Sequence, residues 1–300
     1  MNNISTENKL LGKQVKHPDS YCPEILVAVP RSANRIIYGI TESKELFCGY
    51  DVWNAYECSF LLDNGLPVSG IIKIIYQCTN EFIVESKSLK LYLGSFNMTK
   101  MGDSYNHAID KYITTLKEDI SKLLKTDIQV RFISYKDYSN YGENILDNDF
   151  QDYLLLENNS KIGDTQFSIY KENPNYLAQN FKPAGEIKVS SNLLKSNCKI
   201  TGQPDWGSIY IRLKADKLPD KVNLLKYIVS LRNENHFHEE ICEMTYKRLF
   251  DVYHPEILMV ACRYTRRGGI DINPCRANKE TYLPKKMINL QSNYIKSFRQ

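Results

Sequence analysis

The chain has 300 residues, 42% hydrophobic and 25% charged, with a formal net charge of +4. That is enough for one large domain or two ordinary ones, with the composition of a soluble globular protein. The small net charge and the lack of a lysine/arginine block argue against a polyanion partner, leaving a small acidic or phosphorylated ligand as the charged partner to consider.

The N-terminal stretch MNNISTENKLLGKQVKHPD is polar, without the apolar core of a signal peptide. The longest apolar runs, ILVAV at 25–29 and ILMVAC at 257–262, are too short to span a bilayer. A cytoplasmic protein is expected. Runs rich in β-branched residues predict strands at 24–29, 70–77, 129–135, 186–190, 207–213 and 257–264. Helical spacing over 104–125 puts Ile109, Tyr112, Ile113, Leu116, Ile120, Leu123 and Leu124 on one face. Over 236–253 it aligns Phe237, Ile241, Thr245 and Leu249. Between these regions, 137–182 is rich in Asn, Asp and Tyr without a period, and reads as a connecting segment. The eight cysteines form no CxxC pair and no zinc-ribbon spacing, so most are expected to be reduced thiols packed as small hydrophobes.

The chain carries a faint copy of itself. GLPVSGIIKI at 65–74 and GQPDWGSIYI at 202–211 share the form G-x-P-x-x-G-x-I-x-I at an offset of 137. LKLYLGSFN at 89–97 resembles LKYIVSLRN at 225–233, with Ser95 facing Ser230 at an offset of 135. Each half is therefore expected to hold a hairpin turning at the Gly-x-Pro segment, a connection, a helix and more strand. Opposite Cys198 and Asp205 the first copy has Leu61 and Val68, whereas its own ESK at 85–87 faces only DKV at 220–222. Each half holds what the other lacks, which predicts one composite site.

Four strings carry the candidate chemistry. In SNCKITGQPDWG (196–207), Cys198 lies in a polar turn and Asp205 follows across a Gly-Gln-Pro turn. A thiol of pKa about 8.5 must be partly thiolate to attack anything. An ionised aspartate disfavours the thiolate, so the pair is expected to work with Asp205 desolvated and its pKa raised well above about 3.9. The same residues equally describe a structural cysteine beside a turn-capping aspartate, and spacing does not decide. In NHFHEE (235–240), His236 and His238 adjoin Glu239 and Glu240; there is no HExxH, and the run reads as a helix start or as a cradle for a nitrogen-rich heterocycle. In TRRGGIDINPCR (265–276), arginines beside Gly268 and Gly269 suit a phosphate. There is no GxGxxG after a strand and no GxxxxGK[ST], which speaks against a Rossmann domain or a P-loop. In VESK (84–87), Glu85, Ser86 and Lys87 stand at the entrance of an apolar stretch, and composition assigns them no ligand.

Together, ESKSLKLYLGSF (85–96), SNCKITGQPDWG (196–207), FHEE (237–240) and RRGGIDINP (266–274) resemble the QueF nitrile reductases, NADPH-dependent 7-cyano-7-deazaguanine reductases of queuosine biosynthesis, a tRNA modification. The resemblance implies an α+β fold of tandem tunnelling-fold (T-fold) modules, antiparallel sheets with helices packed on one face. The modules would be 1–136, with the ESK string, and 183–300, with Cys198 and Asp205, joined by 137–182. It further implies that Cys198 adds to the nitrile to form a covalent thioimide and that Asp205 is the general acid/base. Val84, Glu85, Ser86, His238 and Glu239 would bind substrate, and Ser86, Lys87, Arg267 and Gly268 would contact NADPH. A homodimer is implied, with no metal, no direct nucleic-acid binding and no membrane partner. Lys199, Gly202 and Cys275 are departures from the family strings.

The chemistry agrees with those residues. A thiolate is the side-chain nucleophile best suited to a nitrile carbon, and its adduct turns C≡N into a C=N bond that accepts hydride once a proton reaches nitrogen. Water must be kept out, because it would hydrolyse the thioimide. Two rivals use fewer of the strings. A cysteine hydrolase of C–N multiple bonds needs Cys198 but not ESK or RRGG. A catalytically silent base-binding module needs Glu85, His238 and Glu239 but not Cys198 or Asp205.

Overall fold

The computed structural model describes residues 18–41, 43–134 and 149–292. The first half runs through strand β1 (Ala28–Pro30), short helices α1 (Ser32–Ile37) and α2 (Ser43–Leu46), and a long hairpin of β2 (Cys48–Leu62) and β3 (Pro67–Gln77). It continues with β4 (Phe82–Val84), α3 (Ser86–Gly94), β5 (Lys100–Gly102), α4 (Tyr105–Leu124) and β6 (Ile128–Ser134). The second half has β7 (Leu154–Leu155), a second long hairpin of β8 (Lys182–Asn197) and β9 (Pro204–Leu218), helices α5 (Lys221–Ser230) and α6 (His238–Tyr253), then β10 (Ile257–Tyr264) and β11 (Ile270–Ala277).

One sheet runs through both halves in the order β6-β3-β2-β11-β10-β9-β8-β7, with β5 beside β2. Its pairs are antiparallel except β2 with β5 and β7 with β8. The halves join where β11 pairs along β2, Ile272 opposite Trp53; β1 and β4 form a separate ribbon. The architecture is α+β with a mixed, mainly antiparallel sheet. No helix among the described residues is long and apolar enough to cross a membrane.

Strand alternation decides what each face buries. Trp53, Ala55, Ile72 and Ile74 pack under α3 and α4, while Ile209, Ile211, Leu258 and Val260 pack under α5 and α6. On the other face, Met259, Ala261 and Cys275 pack against Phe150 and Leu283. Because β10 is covered on both faces, ILMVAC reads as an unbroken apolar run rather than an alternating one. In α4 the buried row is Ala108, Tyr112, Leu116, Ile120 and Leu124, spaced by four, and the helix stops at Lys125 in the left-handed conformation.

The structure departs from the sequence expectations in identifiable places. β2 and β11 are not predicted, because their inward positions include Asp51, Asn54, Asp271 and Arg276, polar residues that are buried with partners. The 24–29 run is a 3-10 turn at Pro23–Ile25 followed by β1. VESK ends the three-residue β4 and starts α3, whose Leu89, Tyr92 and Leu93 are buried at helical spacing. Within 137–182, the part from 149 onward contains β7 and 3-10 turns at Leu156–Asn158 and Pro174–Ala178, without an α-helix; 137–148 lies outside the described residues.

The two hairpins share local geometry. Gly65 and Gly202 both have positive φ, 88° and 65°, and Pro67 and Pro204 open β3 and β9. The second glycine of each string lies against the next strand: a Cβ on Gly207 would stand 2.9 Å from the Arg263 carbonyl oxygen, and one on Gly70 closer still to that of Ile133. Bulges fall between Ala55 and Cys58 in β2 and between Ser191 and Leu194 in β8. The Ser95 and Ser230 hydroxyls each donate to a carbonyl three residues back, at 2.6 and 2.7 Å. Register corrects one correspondence. Pro67 pairs with Leu61 but Pro204 with Asn197, so Cys198 stands at the place of Leu62, in a turn one residue longer, while Asp205 keeps its match to Val68.

Candidate active site

A cavity of about 450 Å³ opens where the halves meet. Nine of the ten predicted site residues line it: Val84, Ser86 and Lys87 from the first half, and Cys198, Asp205, His238, Glu239, Arg267 and Gly268 from the second. Glu85 does not. It is buried before the first turn of α3, where its N–H donates to the Val27 carbonyl at 2.8 Å.

Cys198 follows β8 in a tight turn: its N–H donates to the Gln203 carbonyl at 2.8 Å, and the Gly202 N–H returns to the Cys198 carbonyl at 3.0 Å. The thiol residue is only 8% exposed. Asp205, opposite Ser196 at the start of β9, is brought to the same end of the cavity by the hairpin. Its Oδ2 lies 3.5 Å from His238 Nε2, and its Oδ1 accepts from Arg267 Nη1. Arg267 Nη2 also donates to Gln203 Oε1 at 2.8 Å and Thr201 Oγ1 at 3.2 Å, so one guanidinium holds the turn and the carboxylate together.

This arrangement overturns the expectation of a raised Asp205 pKa. Burial does push the carboxyl upward, but His238 and Arg267 outweigh it and hold Asp205 below the ordinary carboxylate range. Asp205 therefore rests ionised.

The floor is built by the start of α6. His238 packs on the Tyr264 ring, 3.9 Å between centroids. Glu239 is buried with its Oε1 lacking a hydrogen-bond partner among the described residues. Burial, reinforced by Asp51, pushes its carboxyl up to about 8, against the pull of Arg31 and Arg276. His236 turns from His238 toward other partners, its Nδ1 3.1 Å from Glu240 Oε2 and its Nε2 3.2 Å from the Tyr38 hydroxyl. The two histidines thus make separate contacts.

Beneath the floor a buried charge network joins the halves. Glu243 accepts from Arg35 Nε at 2.8 Å and Arg276 Nη2 at 2.8 Å, and Arg276 also pairs with Asp51 at 2.9 Å. Burial raises the Glu243 carboxyl, yet Arg276, Arg35 and Arg31 overcome it and hold it down at about 2.

At the mouth, Lys87 and Lys90 of α3 face Arg267 and Gly268 of the β10–β11 connection. Gly268, at φ +60°, lets the Lys90 ammonium approach within 3.2 Å of where a Cβ would stand. Three cationic side chains beside an open backbone fit the phosphates of a dinucleotide without any Rossmann loop. Lys90 is not among the predicted site residues because helical spacing was not read across VESKSLKL; in α3 it lies one turn from Ser86 and Lys87. Trp53, Ile270 and Ile272 were missed because β2 and β11 were. Thr201, Gln203, His236 and Phe237 also line the cavity, inside or beside strings already singled out.

Residues 17–132 match the family described as nitrile reductase, 7-cyano-7-deazaguanine-reductase N-term, and residues 204–283 match the QueF-like protein family. A relative from Coxiella burnetii (strain RSA 331 / Henzerling II), named NADPH-dependent 7-cyano-7-deazaguanine reductase, is 38% identical over 282 residues, covering 92% of this chain and 94% of its own. Relatives of the same name from Cupriavidus metallidurans and Acinetobacter baumannii are 39% and 34% identical, covering 93% and 94% of this chain and 96% and 97% of theirs. The solved apo structure of the archaeosine synthase QueF-Like is 14% identical with a TM-score of 0.28, over 32% of this chain and 93% of its own, which is too slight to carry an argument. The chain belongs to the nitrile reductase family of NADPH-dependent 7-cyano-7-deazaguanine reductases.

Proposed function

We propose that this chain reduces the nitrile of 7-cyano-7-deazaguanine to the aminomethyl group through a covalent thioimide on Cys198, as a step of queuosine tRNA modification. NADPH is the cofactor; each nitrile would take up two hydrides, one from each of two NADPH molecules bound in turn, with the Cys198 thiolate leaving between them as the thioimide carbon becomes an imine carbon. The observation that carries the reading is the meeting of Cys198 and Asp205, from one hairpin, with the Val84–Lys87 turn of the other half in a single cavity.

The residues divide the work as follows. Ionised Asp205 takes the thiol proton as sulfur bonds to the nitrile carbon, and one C–N π pair becomes a lone pair on nitrogen. The same carboxyl then returns its proton to that nitrogen, so the adduct is a neutral C=NH thioimide. A carboxylate held at low pKa stores a proton poorly but passes it on readily, which suits a relay. Glu239, Val84 and the ring of His238 hold the heterocycle, while Lys87, Arg267 and the Gly268 backbone hold the cofactor's phosphates. Trp53, Ile83, Phe237, Ile270 and Ile272 supply apolar wall that excludes water from the thioimide.

The test uses the purified chain with 7-cyano-7-deazaguanine alone and then with NADPH. A mass increase with substrate alone, lost in Cys198→Ala together with NADPH consumption, is expected. Ammonia release without NADPH would favour a hydrolase, and binding indifferent to Cys198→Ala would favour a silent base-binding module. An adduct that survives Cys198→Ala removes Cys198 as the nucleophile.

We also read 1–136 and 183–300, around the connection 137–182, as paired T-fold units assembling as a homodimer in the cytoplasm without direct nucleic-acid contact. Among the described residues β6 is an end strand of the sheet, where strand-to-strand association would take place. Sedimentation at micromolar concentration tests it, a monomer being the contrary result.

A further inference from the structure

Lys199 follows Cys198 directly. Its ammonium lies 3.3 Å from Glu240 Oε1, with the two side chains only 19% and 10% exposed. It also stands 5.8 Å from the centroid of the Phe237 ring, on the cavity wall. The other oxygen of Glu240 accepts the Phe237 N–H at 3.1 Å and meets His236 Nδ1 at 3.1 Å. One carboxylate therefore ties the turn after Cys198 to the first turn of α6, which presents His238 and Glu239.

Asn197, just before Cys198, is held to the segment entering α6 by backbone hydrogen bonds with Glu234 and His236, at 2.8 and 3.0 Å, and the Lys199 pair adds a tie just after Cys198. The turn's own closure is two backbone hydrogen bonds around Gly202, which sits at positive φ. Arg267 braces it on the side of Thr201 and Gln203, and Lys199 braces the opposite side. A partly buried pair is screened less than a surface one and holds its geometry better. Displacing a reacting atom by about 1 Å costs on the order of 100-fold in rate.

We propose that Lys199 is a positioning residue, whose ion pair with Glu240 fixes the Cys198 sulfur against the nitrile carbon of a substrate held by the first turn of α6. The inference rests on the thioimide reading above. It assigns Lys199 no contact with substrate and no proton transfer.

The measurement is the rate of covalent adduct formation with 7-cyano-7-deazaguanine alone, followed by mass, beside the noncovalent affinity in a Cys198→Ala background. Lys199→Met is expected to slow adduct formation about 10-fold, while Cys198→Ala with and without Lys199→Met bind the substrate within about 2-fold of each other. Lys199→Arg is expected to recover most of the rate, which a purely local packing role does not predict. If Lys199→Met fails to fold, Glu240→Gln, which keeps an acceptor for the Phe237 N–H, is expected to show the same split. An adduct rate unchanged by either substitution, or affinity falling in step with rate, overturns the proposal. A parent chain that forms no adduct overturns the thioimide reading and takes this inference with it.

Discussion

Arg267 and Asp205 touch across the cavity although they arrive from different connections, the guanidinium from the β10–β11 loop and the carboxylate from the start of β9. The contact links a residue proposed for the cofactor to one proposed for proton transfer, and it has a sign. Arg267 and His238 together keep Asp205 ionised below the ordinary carboxylate pKa. Removing Arg267 takes away one of the two downward influences and leaves burial to act against His238 alone. In Arg267→Met the Asp205 pKa is expected to rise, moving the acid limb of the adduct-formation profile to higher pH. Asp205→Asn is expected to abolish that limb and slow the step by roughly 10²- to 10⁴-fold. The profile is measured by mass with substrate alone, so loss of cofactor binding does not confuse it. An acid limb that stays in place in Arg267→Met would refute the coupling.

Glu239 gives a prediction that sets stability against binding. Burial pushes its carboxyl up to about 8 in the folded chain, from an ordinary value of 4.5. The folded state therefore holds a proton that the unfolded state releases between those values. The stability tied to that proton is fully present below about 4.5 and is lost as pH rises toward 8. Glu239→Gln cannot ionise, so its melting temperature is expected to exceed the parent's at pH 8 by about 2–5 °C and to converge with it near pH 5. Affinity for the heterocycle, measured by calorimetry above pH 8 where the carboxyl is ionised, is expected to fall at least about 10-fold for loss of a charged acceptor. Equal melting temperatures at pH 8 would show that the buried carboxyl is not strained.

Glu243 has the opposite sign. Its pKa is held down at about 2, against an ordinary value of 4.5, so its contribution is present above 4.5 and lost as pH falls toward 2. It neutralises a buried set of arginines that joins α1 and β11 to α6. Glu243→Gln leaves Arg31 and Arg276 sharing Asp51, takes from Arg35 the carboxylate it pairs with, and is expected to cost about 3–5 kcal/mol. Urea unfolding at pH 7 measures the loss, and a change under about 1 kcal/mol would mean the arginines find other partners.

The site was more legible in the sequence than the sheet that builds it. Cys198, Asp205, His238, Glu239, Arg267 and Gly268 stand in short strings whose polarity breaks the surrounding pattern, and the structure places all six on one cavity. Asp51, Asn54 and Arg276 hid β2 and β11, because buried charges with buried partners look like solvent-facing residues in a linear reading. The Asp205 pKa was misjudged for a related reason. Burial can be guessed from a neighbouring tryptophan, but an arginine 62 residues away cannot be placed beside it without the fold.

The glycines of the two hairpins test whether strand contact positions the chemistry. A Cβ on Gly207 would come within 2.9 Å of the Arg263 carbonyl oxygen and 3.1 Å of the Tyr264 ring, so Gly207→Ala has to push β9 away from β10. Asp205 lies two residues upstream on β9, and Tyr264 supports His238. Gly70 meets the same obstruction from Ile133 and Phe132, but at the junction of β3 with β6, outside the cavity lining. Both substitutions are expected to cost about 1–3 kcal/mol in urea unfolding, as overpacking does. Only Gly207→Ala is expected to slow adduct formation as well, by about 10-fold or more under conditions where both variants remain folded. A Gly207→Ala chain that is destabilised yet forms the adduct at the parent rate would show that Asp205 tolerates displacement of its strand. An equal slowing in Gly70→Ala would trace the loss to the whole sheet instead of the β9–β10 contact.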